Sequence, residues 1–229
     1  MTLNRVVISF TLYGNAKKYV GGLLDNCKLI NTIYPEFWIY VYLGNDFDWE
    51  LYREKFSDIQ NIKYIQSGCS GHQNSLHRFL PIDFDEVGCV FSRDTDSRIN
   101  NRDQYCINTF LNSDKKFQII RDHCAHGGHP ILAGMWGIKK GLITFPIRDI
   151  VMSYSETQFG CDQNFLREFI YPVVKHDIIV FDEFFNYEGI SQKIDVAYEE
   201  LEGLRDFVGN VIIPIDFENP FGDKHTSVL

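Results

Sequence analysis

Short runs of β-branched and aromatic residues alternate with segments of helical periodicity in the first part of the chain. Four such runs predict buried strands, at Arg5 to Thr11, Phe37 to Leu43, Ile62 to Ile65 and Val87 to Ser92. Apolar residues at helical spacing predict a helix over Ala16 to Ile33, just before Pro35. Shorter helices are predicted from a cap at Asp48 through Phe56, and from Ser70 to Leu80 with a stop at Pro81. This alternation is typical of a mostly parallel α/β sheet with both faces covered.

The second part of the chain is less regular but continues the same pattern. Strands are predicted for Phe117 to Ile120 and Asp177 to Phe181, and a helix is predicted for Asp162 to Tyr171. The apolar segment Ile131 to Ile138 is interrupted by two glycines, as where backbone approaches a ligand or another strand. No repeat and no flexible linker divides the chain, and the tail after Pro214 has no periodicity. A single α/β domain is therefore expected.

Composition narrows the classes of function. The 229 residues carry 22 basic and 31 acidic side chains, for a formal net charge of -9. Because no basic block stands out, nucleic acid is not expected as a partner. No apolar run is long enough to cross a bilayer, so no membrane span is expected. Six scattered cysteines without a Cys-x-x-Cys pair indicate free thiols in a reducing compartment, which predicts a cytoplasmic protein (in the host cytoplasm if it is viral).

The most informative stretch is Asp94-Thr95-Asp96, directly after the fourth predicted strand. Side chains two residues apart in an extended chain point to the same side, so Asp94 and Asp96 can present two carboxylates to one hard cation. Mg²⁺ and Mn²⁺ commonly take one or two carboxylates and complete their shells with water and phosphate oxygens. The flanking Arg93 and Arg98 suit the clamping of phosphate. In the absence of a metal, the same residues would form an Asp-rich turn with solvated carboxylates.

Four short motifs occur in an order that resembles one group of enzymes. They are Leu76-His77-Arg78-Phe79-Leu80-Pro81, Asp94-Thr95-Asp96, Leu132-Ala133-Gly134-Met135 and Asp162-Gln163-Asn164-Phe165-Leu166. With a later His176, the chain from Val6 to Phe181 resembles nucleotide-sugar glycosyltransferases of the GT-A fold. The group of glycogenin and the bacterial lipopolysaccharide galactosyl- and glucosyltransferases is the most similar. The small glycosyltransferase domains of large algal viruses are more loosely similar.

The resemblance implies a Rossmann-like GT-A domain that moves a sugar from a UDP-sugar to a hydroxyl of a glycan or glycoprotein acceptor. It also implies retention of the anomeric configuration and a dependence on Mn²⁺ or Mg²⁺. The nucleotide-binding half would cover about residues 1 to 98, and the sugar and acceptor half about residues 99 to 229. Catalysis would rest on neutralising the charge that develops on the departing diphosphate.

The family's functional positions fall on particular residues of this chain. Donor-binding positions are Thr11, Leu12, Tyr13, Arg78, Asp94, Ala133 and Gly134. The metal ligands would be Asp94, Asp96 and His176, while Asp162 and Gln163 would lie beside the anomeric carbon. Asp162 could instead serve as the N-cap of the helix that follows it.

Several positions depart from the family pattern or allow a second interpretation. Leu132 stands where the family has Asn, and the Lys-Pro-Trp expected after His176 is absent, so His176 could equally be structural. Trp136 could stack on a sugar or lie in the core. Lys139 and Lys140 could reach phosphate or remain solvated.

Three alternatives compete with the glycosyltransferase interpretation. A haloacid-dehalogenase-type phosphatase also places Asp-x-Asp after an apolar strand, but it wants Thr or Val where this chain has Arg98. A non-catalytic sugar- or nucleotide-binding module would need no metal. Zinc binding by His123, Cys124, His126 and His129 is a weaker alternative, because their spacing is too close for most structural sites. A loop over the active site is the preferred interpretation of that histidine-rich segment.

Overall fold

A seven-stranded sheet forms the centre of the computed structural model, which describes residues 4–14, 17–201 and 204–212. Its strand order is β3-β2-β1-β4-β6-β5-β7. The strands are β1 (Arg5–Leu12), β2 (Trp38–Leu43), β3 (Ile62–Gln66), β4 (Val87–Arg93), β5 (Phe117–Arg121), β6 (Met135–Lys139) and β7 (Ile178–Asp182). A separate hairpin joins β8 (Glu199–Leu201) to β9 (Leu204–Asp206).

Six of the seven strands are parallel and one runs against them. β6 pairs antiparallel with both β4 and β5, and every other pairing in the sheet is parallel. The carboxyl ends of six strands, together with the first residue of β6, therefore lie along one edge of the sheet. This confirms the predicted fold class, a mostly parallel α/β domain.

Helices cover both faces of this sheet. They are α1 (Lys17–Ile33), α2 (Asn101–Asn112), α3 (Ile147–Ser153), α4 (Cys161–Phe165) and α5 (Tyr171–Val174), with a π-helical turn at Leu166–Ile170 between the last two. α1 and α2 pack on one face in a core cluster with Phe91, while α4 and the π-helical turn pack on the other with Val90. Val90 and Phe91 are neighbours in β4 and pack in the core clusters on opposite faces of the sheet, so both sides of this strand are apolar.

Two expectations about local structure need correction. Asp48 makes no side-chain cap, and two short 3₁₀ turns, Trp49–Leu51 and Arg53–Phe56, replace the predicted helix. The segment predicted as a helix ending at Pro81 is a 3₁₀ segment, Gly71–Asp83, which includes the proline. Residues 74–82 of this segment are all buried, so tertiary packing rather than amphipathic periodicity determines its conformation. The tail after Pro214 lies outside the described residues.

Helix α2 was not predicted from the sequence. Its N-terminus is capped by Asn100, whose side-chain oxygen accepts a hydrogen bond from the Asp103 backbone N–H at 2.9 Å. An Asn followed three residues later by an acidic residue was the signal available for this helix. Over the part of the chain that the structure describes, no helix is long and apolar enough to cross a membrane.

Candidate functional site

A cavity of about 270 Å³ opens at the carboxyl edge of the sheet, where β1 and β4 end and β6 begins. Most of the residues singled out from the sequence line it, namely Thr11, Tyr13, Arg78, Asp94, Asp96, Ala133, Gly134, Asp162 and Gln163. They come from five separate segments of the chain. In the sequence, only the order of these motifs indicated that they belong to one site. The sheet topology brings them together.

The loop that carries Asp94 and Asp96 is held in place by helix α1. The amide of Asn26, which is 1% exposed, donates to the Ser97 carbonyl at 2.7 Å and accepts from the Ile99 N–H at 3.1 Å. Gly22, one helical turn earlier, lies so close that a Cβ there would stand 1.9 Å from the Thr95 carbonyl oxygen. These two α1 residues fix the path of the backbone that presents the carboxylates, and sequence reasoning missed both.

Arg78 is the central cation of the cavity. Its guanidinium hydrogen-bonds to Asp94 Oδ1, to Asp162 Oδ2 at 2.9 Å and to the Arg93 carbonyl at 3.2 Å. Burial by itself lowers the pKa of Arg78, but the two adjacent carboxylates raise it above the ordinary value. Arg78 is therefore a permanently charged bridge between two site carboxylates, and not a salt bridge on a helix surface.

Because residue 134 is glycine, the backbone directly before β6 can approach the Asp94 side chain. A Cβ on Gly134 would lie 2.0 Å from Asp94 Oδ2 and 2.4 Å from its Cγ. The preceding Ala133 is fixed through its carbonyl, which accepts from Ser92 Oγ at 2.7 Å and from the Trp136 indole N–H at 3.1 Å. This glycine is required by close contact with a side chain of the cavity.

Asp162 and Gln163 enter the cavity from the first turn of α4. The helix is preceded by Gly160, which has φ +82° and occupies the N-cap position, so the alternative of Asp162 as the N-cap is wrong. Both Asp162 oxygens are engaged, one by Arg78 and the other by the Gln163 backbone N–H at 2.9 Å. Gln163 Oε1, in contrast, is buried and accepts no hydrogen bond from the described residues.

Three aromatic rings form one side of the cavity, and of these the sequence pointed to Tyr13 but not to His72 or Phe159. The Tyr13 hydroxyl lies 3.3 Å from His72 Nδ1, and the His72 ring meets Phe159 edge-on with centroids 5.6 Å apart. Burial raises the pKa of Tyr13 above the ordinary value, so its hydroxyl stays protonated. Phe159 is 83% exposed, which is unusual for so large an apolar side chain. Its position directly before Gly160 carries no sequence signal that would have identified it.

Several candidates lie away from the cavity lining. Leu12 is 1% exposed and packs in the core around α1. Trp136 is fully buried, with its ring stacked on Phe117 at 5.3 Å, so of its two interpretations the structure supports the core residue. Because β6 is antiparallel, Lys139 and Lys140 fall toward the opposite edge, where their ammonium groups donate to backbone carbonyls.

His176 is also distant from the two aspartates. It is exposed and precedes β7, whose first residues lie beside the start of β5. The length of β7 separates that edge from the cavity edge by roughly 15 Å. The structure therefore does not place His176 with Asp94 and Asp96, and it is not retained as a metal ligand.

The histidine-rich segment after β5 forms a short 3₁₀ turn, Cys124–Gly128. His126 is buried, and its Nδ1 accepts from the Asp122 and His123 backbone N–H groups at 3.1 and 3.2 Å. Burial, together with the nearby His123, lowers the pKa of His126 to about 4. His126 thus stabilises the turn as a neutral hydrogen-bond acceptor.

The charges around the cavity favour a divalent cation. The described residues of its lining include the carboxylates of Asp94, Asp96 and Asp162, and Arg78 is the single guanidinium among them. Within the described ranges, no group of three or more His, Cys, Asp or Glu side chains could hold a metal. The donor set therefore suits Mg²⁺ or Mn²⁺ bound by one or two carboxylates and otherwise by ligand oxygens, and does not suit a fully protein-ligated ion.

No known protein-family model matches the chain, and no curated protein matches it in sequence. Solved structures are nonetheless similar in fold. One is a glycosyltransferase involved in glycosylation of the major capsid of PBCV-1, with 14% identity and a TM-score of 0.52 over 78% of this chain and 81% of that one. Another is Staphylococcus aureus TarS 1-349 in complex with UDP-GlcNAc, with 15% identity and a TM-score of 0.55 over 79% of this chain and 56% of that one.

A third is the mannosyltransferase PcManGT of Pyrobaculum calidifontis in complex with GDP-Man and Mn²⁺, with 12% identity and a TM-score of 0.52 over 78% of this chain and 54% of that one. A different activity shares the fold, since 4-diphosphocytidyl-2C-methyl-D-erythritol synthase of Anaerococcus prevotii has 14% identity and a TM-score of 0.50 over 84% of this chain and 92% of that one. At such identities these likenesses establish the fold, which is that of GT-A glycosyltransferases and their structural relatives.

Proposed function

We propose that this chain is a metal-dependent glycosyltransferase that moves a sugar from a UDP-sugar to a hydroxyl of a glycan or glycoprotein. The supporting observation is the convergence of Asp94, Asp96, Arg78 and Gln163 on one cavity at the carboxyl edge of the sheet. Ligands bind at this edge in open α/β sheets. The TarS and PcManGT complexes, with UDP-GlcNAc and with GDP-Man and Mn²⁺, agree with a nucleotide sugar as ligand.

The nucleotide would lie at the end of β1. Thr11 and Tyr13 line the cavity there, and the Tyr13, His72 and Phe159 rings offer apolar faces to a base. The exposure of Phe159 is then explained by a ligand that covers it. The diphosphate would extend from this aromatic group toward the Asp94 and Asp96 carboxylates.

In this proposal, the negative charge of the cavity lining explains why a metal ion is needed. An anionic diphosphate would be repelled by the carboxylates of the cavity, of which Asp94 and Asp162 are paired with Arg78. Asp94 and Asp96 would hold Mn²⁺ or Mg²⁺ between themselves and the phosphates. When bound, this ion neutralises charge on the leaving diphosphate. Arg78 keeps the Asp94 and Asp162 side chains in fixed orientations.

At the anomeric carbon, the chain offers Gln163 rather than Asp162 as the group free to interact. Both Asp162 oxygens are already engaged, whereas Gln163 Oε1 is buried and available to a developing positive charge or to an acceptor hydroxyl. An amide is a weak nucleophile. Gln163 on that face therefore agrees with retention of the anomeric configuration by attack of the acceptor hydroxyl from the face that the diphosphate leaves. Asp162 then acts by positioning Arg78 and the start of α4.

The competing activities make different demands on this cavity. A cytidylyltransferase must hold three phosphates, and Arg78, the single guanidinium among the described lining residues, is already paired with two carboxylates. A phosphatase of the haloacid dehalogenase type wants Thr or Val at the position of Arg98, whose side chain here pairs with Asp25 of α1. A binding module without catalysis would have no use for two carboxylates beside a diphosphate.

The test is thermal unfolding with UDP, with and without Mn²⁺, on the wild type, on Asp94→Asn and on the exposed-site control Asp58→Asn. A ligand at ~100 times its dissociation constant adds about 2.7 kcal/mol of stability, which is a shift of several degrees for a chain of this size. We expect a shift that requires both UDP and Mn²⁺, persists in Asp58→Asn and disappears in Asp94→Asn. A shift with CTP alone, or with UDP regardless of metal and of Asp94, would contradict the proposal. UDP release from a panel of UDP-sugars then identifies the donor.

A further inference from the structure

Five aromatic rings form a second surface at the carboxyl ends of β5 and β7. This aromatic platform consists of His123, Phe184, Phe185, Tyr187 and Phe207. His123 stacks on Phe207 with centroids 4.1 Å apart and meets Phe184 at 6.3 Å, while Phe185 and Tyr187 stack at 5.3 Å with an interplanar angle of 9°. Phe184 is 50% exposed and Tyr187 is 56% exposed. Contiguous exposed apolar side chains can mark a binding surface.

The platform is held by buried charges rather than by a flexible loop. Asp182, which is fully buried, accepts from the Phe184 and Phe185 backbone N–H groups at 3.0 and 2.6 Å and from Arg121 Nε at 2.6 Å. The Tyr187 hydroxyl donates to the Gly127 carbonyl at 2.7 Å. Such fixation lowers the entropy lost when a ligand packs on the rings.

The platform lies on the same edge of the sheet as the candidate site. Arg121, whose guanidinium carbon lies 5.1 Å from the Tyr187 ring centroid, also donates to the Pro130 carbonyl at 2.6 Å. Two residues further along the chain, Leu132 lines the cavity. In the strand order, β7 is three positions from β4, so the platform lies roughly 15 Å from the Asp94 end of β4 along one edge. An oligosaccharide, rather than a single sugar, would bridge this distance.

The charges around the platform favour a neutral ligand. Arg121 is paired with Asp182 and Glu188, and Lys193 donates to backbone carbonyls beside Glu183. No uncompensated cation among these groups would attract an acidic glycan or a phosphate. Pyranose rings present an apolar C–H face that packs on aromatic rings, while their hydroxyls can reach polar groups at the rim such as Asn186.

We propose that the aromatic platform binds an uncharged oligosaccharide portion of the acceptor and directs its end toward the cavity. This inference rests on the proposed function, because it identifies the acceptor of that same site. The platform supplies affinity for the acceptor and takes no part in the chemical step.

The test is binding to an array of neutral and acidic oligosaccharides in the absence of nucleotide. The variants are Phe184→Ala, Tyr187→Ala and the ring-preserving Tyr187→Phe. Leu51→Ala is the control, since Leu51 is 70% exposed and lies between β2 and β3 at the other end of the strand order. We expect the wild type to bind neutral chains, and each alanine variant to bind them roughly three- to tenfold more weakly, as expected for loss of one ring contact. Leu51→Ala should bind as the wild type does, and Tyr187→Phe, which keeps the ring but loses the hydrogen bond to the Gly127 carbonyl, should bind more tightly than Tyr187→Ala.

Equal binding by all variants, binding of acidic glycans alone or binding of no glycan would overturn the inference. A change in sedimentation of the alanine variants would also do so, because it would show that a second copy of the chain covers the platform. The thermal shift with UDP and Mn²⁺ is measured on the same samples and should not change in any variant. Platform-dependent glycan binding without that shift would refute the UDP-sugar donor and leave the platform assignment standing. The shift without glycan binding would refute the platform alone.

Discussion

Replacement of Gly134 by alanine separates activity from stability more sharply than any other change in the cavity. The new Cβ would lie 2.0 Å from Asp94 Oδ2, and real Cβ contacts essentially never fall below 3.0 Å. The Asp94 carboxylate must therefore retreat by about 1 Å, and a displacement of that size in a reacting assembly costs roughly 100-fold in rate. We expect donor turnover by Gly134→Ala to fall by about this factor.

Stability should change little in the same variant. The Asp94 side chain is 40% exposed, so it can swing into the cavity without disturbing the core. Its pairing with Arg78 is screened by solvent and contributes at most about 1 kcal/mol, which bounds the loss in the free energy of unfolding. For a chain of this length, that loss lowers the Tm by roughly 2–4 °C.

The assay is UDP release from the best UDP-sugar with Mn²⁺, together with urea unfolding of the same protein. Gly128→Ala is the matched control, because a Cβ at Gly128 meets nothing within 4 Å. The control should keep wild-type turnover. Turnover by Gly134→Ala within about threefold of the wild type would refute the role given to Asp94, and so would an equal loss in Gly128→Ala.

Three further predictions concern side chains that hold the site loop, the site carboxylates and the turn after β5 in place. Asn26→Ala leaves two buried loop groups without partners and should lower the free energy of unfolding by about 1–3 kcal/mol in urea titrations. Asn26→Asp keeps the acceptor for the Ile99 N–H but turns a buried carboxylate oxygen toward the Ser97 carbonyl, so it should lose at least as much. A smaller loss in Asn26→Asp than in Asn26→Ala would contradict the hydrogen-bond assignment. Arg78→Lys should weaken Mn²⁺-dependent UDP binding in calorimetry, because an ammonium cannot bridge Asp94 and Asp162 as a planar guanidinium does. Unchanged UDP binding would contradict the bridging role of Arg78. The pKa of His126 is about 4 in the folded chain and near 6.5 in the unfolded chain, so between these pH values the unfolded chain binds the extra proton. The free energy of unfolding should therefore fall by up to about 3 kcal/mol as the pH drops from 6.5 to 4. The same dependence of the free energy of unfolding on pH in His126→Gln would contradict this prediction.

Local patterns were sufficient for six strands of the central sheet and for the position of the Asp94 and Asp96 pair. The runs that became β1, β2, β4 and β7 are apolar because both faces of the sheet are covered, and that pattern is legible in a single sequence. Asp94 and Asp96 follow such a run, so their place at a strand end could be predicted. The metal role of this pair stays a prediction, as does the division of the domain near residue 98.

Strand direction and sheet order were decided by pairing between distant segments. The antiparallel course of β6 moved Lys139 away from the cavity, and the parallel course of β7 placed His176 at the opposite edge. Apolar periodicity is the same in either direction, so it cannot distinguish these outcomes.

By itself, the sequence determined six strands of the central sheet, the α/β class and the carboxylates that could hold a metal, because those features depend on neighbouring residues. The tertiary structure alone decided the Arg78 bridge, the fit of Gly134 against Asp94, and the entry of His72 and Phe159 into the site. Each of these depends on contacts between segments far apart in the chain. Such contacts are set by the packing of the whole core, which no local pattern encodes.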